Sequence, residues 1–216
     1  MSAHPCQRIG HGGASALVRA NTLASFDAAL EIGVDMVEFD LRAWRHELVL
    51  AHTKLHAGMG RCVRLQEALA HLARPRFDGV ELNVDVKHSG LESALLNGLR
   101  TARLLERTLI SSQVPVVLDR VRALEPRARI GISVDGRVAH VSWRRHWRSQ
   151  VLAGFAGRRW DALMAQHGMI DAQLLEDVVS RSGLLYAWTV NERGAIDRLR
   201  ALGVHGIATA DPRLFA

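Results

Sequence analysis

Short apolar runs and amphipathic stretches alternate along the whole 216-residue chain. The runs predict strands over 8–11, 36–41, 48–52, 80–87, 108–111, 129–133, 162–165, 184–190 and 206–209. Between them, apolar positions at helical spacing predict helices over 22–32, 65–72, 91–104, 115–124, 172–181 and 192–202. In NTLASFDAAL, for example, Leu23, Phe26, Ala29 and Leu30 fall on one helical face, with Asn21 placed to cap it. Gly33 and Gly203 stand where helices stop. Strand–helix alternation argues for a parallel sheet covered by helices, and about eight repeats favour a closed (β/α)8 barrel, the TIM barrel, over an open sheet. The run 48–52 then becomes a hairpin-like addition after the second strand. No linker, charge block or low-complexity stretch interrupts residues 1–216, so one α/β domain is expected.

Composition narrows this picture only a little. At 48% apolar residues the chain can bury a sizeable core, which excludes a disordered class. Cys6 and Cys62 are the only cysteines, and nothing requires them to pair. The start, MSAHPCQRIGHGG, lacks an apolar core of signal-peptide length, and no run is long enough to span a bilayer. A soluble cytoplasmic protein with free thiols is the expectation. The formal charge is +6, almost all of it from arginine, since Lys54 and Lys87 are the only lysines. That balance fits a phosphate-bearing substrate, an anionic surface or nucleic acid equally well. No zinc spacing or aromatic RNA-binding strand motif is present, so no nucleic-acid partner is expected.

The densest candidate chemistry, His11, Glu38, Asp40 and His52, sits in the first quarter of the chain. Glu38 and Asp40 are two apart in DMVEFDLR and share a strand face, while Val37, Phe39 and Leu41 take the other. Neighbouring buried carboxylates repel unless a positive charge lies between them, and a divalent cation on oxygen ligands is the simplest partner. His11 in RIGHGG and His52 in AHT add two groups that exchange protons near neutral pH. In a barrel the carboxyl ends of strands line the active site, and His11, Asp40, Lys87, Ser112 and Trp188 fall near such ends.

RIGHGGAS, ANTLASFDAALEIGVDMVEFDLR and VLAHT resemble the opening of the glycerophosphodiester phosphodiesterase family. LLYAWTVNERGAIDRLRALGVHGIATADP is similar to that family's closing strand–helix–strand, and only residues 134–161 do not align. The resemblance implies a (β/α)8 barrel that binds one Mg2+ or Ca2+ and cleaves phosphodiesters such as glycerophosphocholine. It makes His11 and His52 the catalytic pair, and Glu38 and Asp40 metal ligands. Asp85 stands at the third ligand position, where the family usually has glutamate. Lys87 matches a phosphate-binding lysine and Trp188 a tryptophan at the pocket rim. Three departures stand out. Gly12 replaces the arginine that follows the first histidine, Ala20 replaces the glutamate before Asn-Thr, and Thr53 replaces the aspartate after the second histidine. Arg42, on the Glu38/Asp40 face, or Arg8 is a candidate to take over the phosphate. The segment after His52 is short, so the usual insertion is mostly missing and the pocket is expected to be more open.

The leading reading is a metal-dependent hydrolase of glycerophosphodiesters, releasing glycerol phosphate and an alcohol. One alternative is a phospholipase D-like lyase that closes a cyclic phosphate, favoured by Asp85. Another is a catalytically impaired phosphodiester-binding protein, suggested by Gly12, Ala20 and Thr53. His167 is read as structural rather than a pocket residue. The Arg/Trp-rich SWRRHWRSQ and GRRW are read first as a solvated helix face. The second reading is a lid in weak contact with lipid headgroups, without membrane insertion. GHGG has no Walker or dinucleotide spacing and reads as room for close substrate approach.

Overall fold

The computed structural model describes residues 6–58, 60–136 and 146–216. Its elements in chain order are β1 (Gln7–Gly10), α1 (Leu23–Ile32), β2 (Met36–Trp44), β3 (Glu47–Leu50), α2 (Lys54–Gly58), α3 (Leu65–Leu72), β4 (Glu81–Val86) and α4 (Glu92–Thr101). There follow β5 (Thr108–Ser112), α5 (Pro115–Leu124), β6 (Arg129–Val134), α6 (Trp147–Ala156), β7 (Ala162–Gln166), α7 (Ala172–Val179), β8 (Leu184–Trp188), α8 (Arg193–Leu202) and β9 (Gly206–Thr209). Parallel pairing runs β1-β9-β8-β7-β6-β5-β4-β2, and a β1–β2 pairing closes the ring. β3 lies antiparallel on β2 outside that ring, as the hairpin reading expects.

The period of two sorts the strand side chains. Outward positions such as Val37, Phe39, Leu41, Val84 and Ile110 pack under the helices in the main core. Inward positions form their own apolar layer of Ile9, Met36, Leu109, Met164, Tyr186 and Ala208. Beneath that layer, Glu81 joins Gln7 (3.2 Å) and Arg129 (3.0 Å) at the amino ends of the strands. Above it, the inward positions are polar.

Several local expectations are corrected. Thr22, not Asn21, caps α1: its hydroxyl accepts from the Ser25 N–H. Asn21 instead adopts a left-handed conformation (φ 61°) and turns inward. α2 and α6 were not legible. α2 has five residues and buries only Ala57. In α6, Gly154 breaks the apolar repeat because Trp160 lies against it: a Cβ there would meet the indole at 2.2 Å. The same packing overturns the lid reading of GRRW, since Trp160 is buried and Arg159 pairs with Asp119 at 2.6 Å. Residues 142–145 of SWRRHWRSQ lie outside the described residues. Gly33 and Gly203 do end their helices, with φ 92° and 94°. Cys6 and Cys62 are free thiols, and burial pushes Cys6 up to about 11. Among the described residues no helix is long and apolar enough to cross a membrane.

Candidate active site

The carboxyl ends of the strands surround a cavity of about 990 Å³. β2 and β4 run parallel with Asp40 opposite Asp85 and Glu38 opposite Asn83. This register turns two sequence pairs into one cluster: Glu38, Asp40 and Asp85 place ligand oxygens within 4.8 Å of one another. Lys87, two residues beyond Asp85, follows on the same face. Its ammonium lies 2.5 Å from Asp40 Oδ1 and bonds Asp85 Oδ2.

Each carboxylate is held from behind. The Gly12 N–H donates to Glu38 Oε2 (2.8 Å). Asn21 grips Asp40 twice: its amide donates to Oδ2 (2.8 Å), and its carbonyl oxygen accepts the Asp40 backbone N–H (2.9 Å). This is why Asn21 does not serve as a cap. Ser111 donates to Asp85 Oδ1 (3.3 Å). Ser112, expected near the pocket from its place at a strand end, points the other way and donates to the Val86 carbonyl (2.6 Å), and Ser111 lines the cavity in its place.

The electrostatics follow from burial and neighbours. Burial, with Asp40 alongside, holds Glu38 well above the usual carboxylate range. Burial pushes Asp40 the same way, but His52 and Lys87 outweigh it and hold Asp40 low. Burial opposes the charge on Lys87, yet Asp85, Asp40 and Glu38 raise it above its ordinary value. Burial lowers His11. His52 Nδ1 lies 3.2 Å from Asp40 Oδ1, and His11 Nε2 lies 3.9 Å from Glu38 Oε2, so the two histidines flank the carboxylates.

A divalent cation fits this donor set. The three carboxylates are hard oxygen donors at mutual reach. Beside them, Asn83 is 2% exposed, and its Oδ1 has no hydrogen-bond partner among the described residues. A buried acceptor left unpaired costs about 1–3 kcal/mol, which a bound cation would remove. Asn83 was missed in the sequence, although Asn83, Asp85 and Lys87 share the inward parity of ELNVDVK.

The rest of the wall is built from Gln113, Ser133, Asp135, Gln166 and Trp188. Trp188 reaches it from the end of β8, opposite Gln166 on β7. Gln166, not His167, lines the cavity. Arg42 lines it too, donating to the His52 carbonyl (3.0 Å). Arg8 is excluded as a phosphate ligand: near the start of β1, its guanidinium pairs with Asp35 at 2.8 Å. Gly12 is left-handed (φ 60°), and a Cβ on it would stand 3.0 Å from the Ala20 Cβ. Two of the departures noted in the sequence therefore face each other in space.

A family model, the glycerophosphoryl diester phosphodiesterase family, matches residues 11–54 and 56–214. The glycerophosphodiester phosphodiesterase of Caldanaerobacter subterraneus is 25% identical, over 94% of this chain and 93% of that protein. Among solved structures, a Silicibacter pomeroyi chain carrying the glycerophosphoryl diester phosphodiesterase name superposes with a TM-score of 0.86. It is 20% identical, with 98% of this chain and 93% of that chain covered. An Oleispira antarctica phosphodiesterase, solved with the product sn-glycerol-3-phosphate, gives 0.75 at 20% identity, covering 96% and 94%.

Proposed function

The chain belongs to the glycerophosphoryl diester phosphodiesterase family and is a phosphodiesterase of glycerophosphodiesters; we propose that it works by two-histidine acid–base catalysis beside one divalent cation. The supporting observation is the convergence of Glu38, Asp40, Asp85, Lys87, His11 and His52 at one end of the barrel. Glu38, Asp40 and Asp85 hold the cation, and an all-oxygen set suits Mg2+ or Ca2+. A cation held there would supply neutralisation of the phosphate's negative charge.

The remaining roles belong to the chain. Lys87 and Arg42 hold the phosphate, and Trp188 forms the rim against which the leaving alcohol rests. One histidine of the pair His11/His52 takes a proton from the attacking water as its oxygen bonds to phosphorus, and the other gives a proton to the departing alkoxide as the ester P–O bond breaks. Asp40 orients His52 through Nδ1. The unit is the whole of residues 1–216 as one domain. The free thiols suit a reducing compartment, and we take the cytoplasm as the location.

Phosphorus NMR of a glycerophosphodiester digest tests the reading. Glycerol phosphate is expected, with loss of turnover on chelation. A cyclic phosphate would replace hydrolysis by a lyase reaction, and binding without turnover would make the chain a phosphodiester-binding protein. The pH–rate profile is expected to be bell-shaped, and His11→Ala or His52→Ala to cut the rate by about a hundredfold or more. Near-full turnover in both variants would refute the two-histidine scheme. Titration calorimetry showing equal metal affinity in wild type and Glu38→Gln would refute the metal assignment.

A further inference from the structure

Residues 41–64 carry Arg42, Arg45, Lys54, Arg61 and Arg64 against a single acid, Glu47. Glu47 is itself paired with Arg64 (2.9 Å), and Arg61 with Glu67 of α3 (3.2 Å). Arg45 and Lys54 have no ion pair among the described residues. This segment is the β2–β3 hairpin and α2, which rise beside the catalytic cavity and deliver His52 into it.

The same segment carries exposed apolar surface. Leu55, between Lys54 and His56 on α2, is 68% exposed, the most exposed large apolar side chain among the described residues. Leu17, in the loop after β1 and two residues before Arg19, is 40% exposed. That loop lies along β2, the strand that carries the hairpin: the Gly13 N–H donates to the Glu38 carbonyl and the Asn21 amide to Asp40. Between hairpin and α2 runs a groove of about 590 Å³ lined by Trp44, Arg45, His46, Cys62 and Arg64. A half-buried indole beside the unpaired Arg45, with the unpaired Lys54 and the exposed Leu55 on α2, matches the layered chemistry of a bilayer surface. On such a surface phosphates would meet the cations, and the indole and the leucine would find apolar contact at the headgroup and acyl boundary. A nucleic acid would leave Leu55 and Leu17 without apolar partners.

We propose that the β2–β3 hairpin, α2 and the loop after β1 form a docking platform for the surface of an anionic phospholipid bilayer. The platform rests on the phosphodiesterase reading only in its orientation: docking brings the cavity mouth to the layer from which phosphodiester headgroups derive. Each basic residue near an anionic surface contributes roughly fivefold in partition, and this contribution is screened by salt.

Vesicle co-sedimentation tests it. Wild-type protein should bind phosphatidylglycerol/phosphatidylcholine vesicles at least about tenfold better than pure phosphatidylcholine vesicles at low salt. Lys54→Glu should lower that partition by about fivefold or more. Leu55→Asp should remove the binding that survives high salt, and Leu17→Asp on the separate β1 loop should weaken it independently. Hydrolysis of a soluble glycerophosphodiester should be the same in all these variants, since none of the three residues lines the cavity, and this also reports that they are folded. Equal partition onto both vesicle types, variants that bind like wild type, or a preference for duplex DNA over vesicles would overturn the platform. Vesicle binding with no hydrolysis in any protein, wild type included, would instead overturn the reaction and leave the platform standing.

Discussion

Asn83 and Asn21 are two uncharged side chains with opposite bookkeeping. Asn83 leaves an acceptor unpaired beside Glu38, whereas Asn21 spends both ends of its amide on Asp40. Asn83→Leu should therefore raise the melting temperature of the metal-free protein, because an unsatisfied buried group is removed. It should also weaken divalent-metal binding by about tenfold in calorimetry, if Asn83 Oδ1 contributes a neutral ligand. Both changes in one direction would refute that role. Asn21→Ala should destabilise the fold by about 1–3 kcal/mol in denaturant unfolding, since it strands the Asp40 backbone N–H and one carboxylate oxygen. At Gly12, an arginine would need room at Ala20. Gly12→Arg alone should not lower KM, while Gly12→Arg with Ala20→Gly, which clears the contact, should lower it relative to the single variant; equal KM values in the two would show the positions to be independent. The charged part of this site was legible because a two-residue period in DMVEFDLR and DVK joins charges to a strand face. Asn83 and Ser111 obey the same period but carry no charge to draw attention. Asn21 was hidden because it also looks like a helix cap.

Strands and glycine-terminated helices were legible because each is defined by neighbours in sequence. β9 begins and ends where its apolar run does, and α3 and α5 keep their expected limits. α6 was not, since its burial depends on Trp160, which arrives after the helix has ended. Filling that space should be costly: Gly154→Ala is expected to lower stability by about 1–3 kcal/mol through overpacking, measured by urea unfolding. β1 makes a second testable contact at its amino end. Burial raises Asp35, but the bonds from Arg8 outweigh it, so its folded value lies below the ordinary one. The stabilisation is thus complete above about pH 3.9 and is lost as pH falls through the lower folded value. Asp35→Asn should flatten the stability profile below that pH and leave the slope near neutrality unchanged.

For the molecule as a whole, Lys87 has a consequence for metal removal. Its ammonium already bridges Asp40 and Asp85, so the carboxylates are partly compensated by the chain itself. Chelation should then leave the barrel folded. At a hundredfold excess over Kd, a cation adds about 2.7 kcal/mol, or about 5–11 °C in Tm for a chain of this size. Unfolding on chelation, seen by circular dichroism, would show that Lys87 does not suffice. Closure of the barrel was readable from the count of strand–helix repeats. The charge relations across its mouth were not, because they join residues from β2, β4 and the hairpin through register alone. The apolar layer of Ile9, Met36, Leu109, Met164, Tyr186 and Ala208 closes the barrel directly below those charges. Water screens them from above and scarcely from below, so the field of the carboxylates is funnelled outward through a single opening. An approaching cation feels that funnel before it touches any ligand. Its capture rate should fall steeply with ionic strength, while its escape, governed by the bonds themselves, should hardly change.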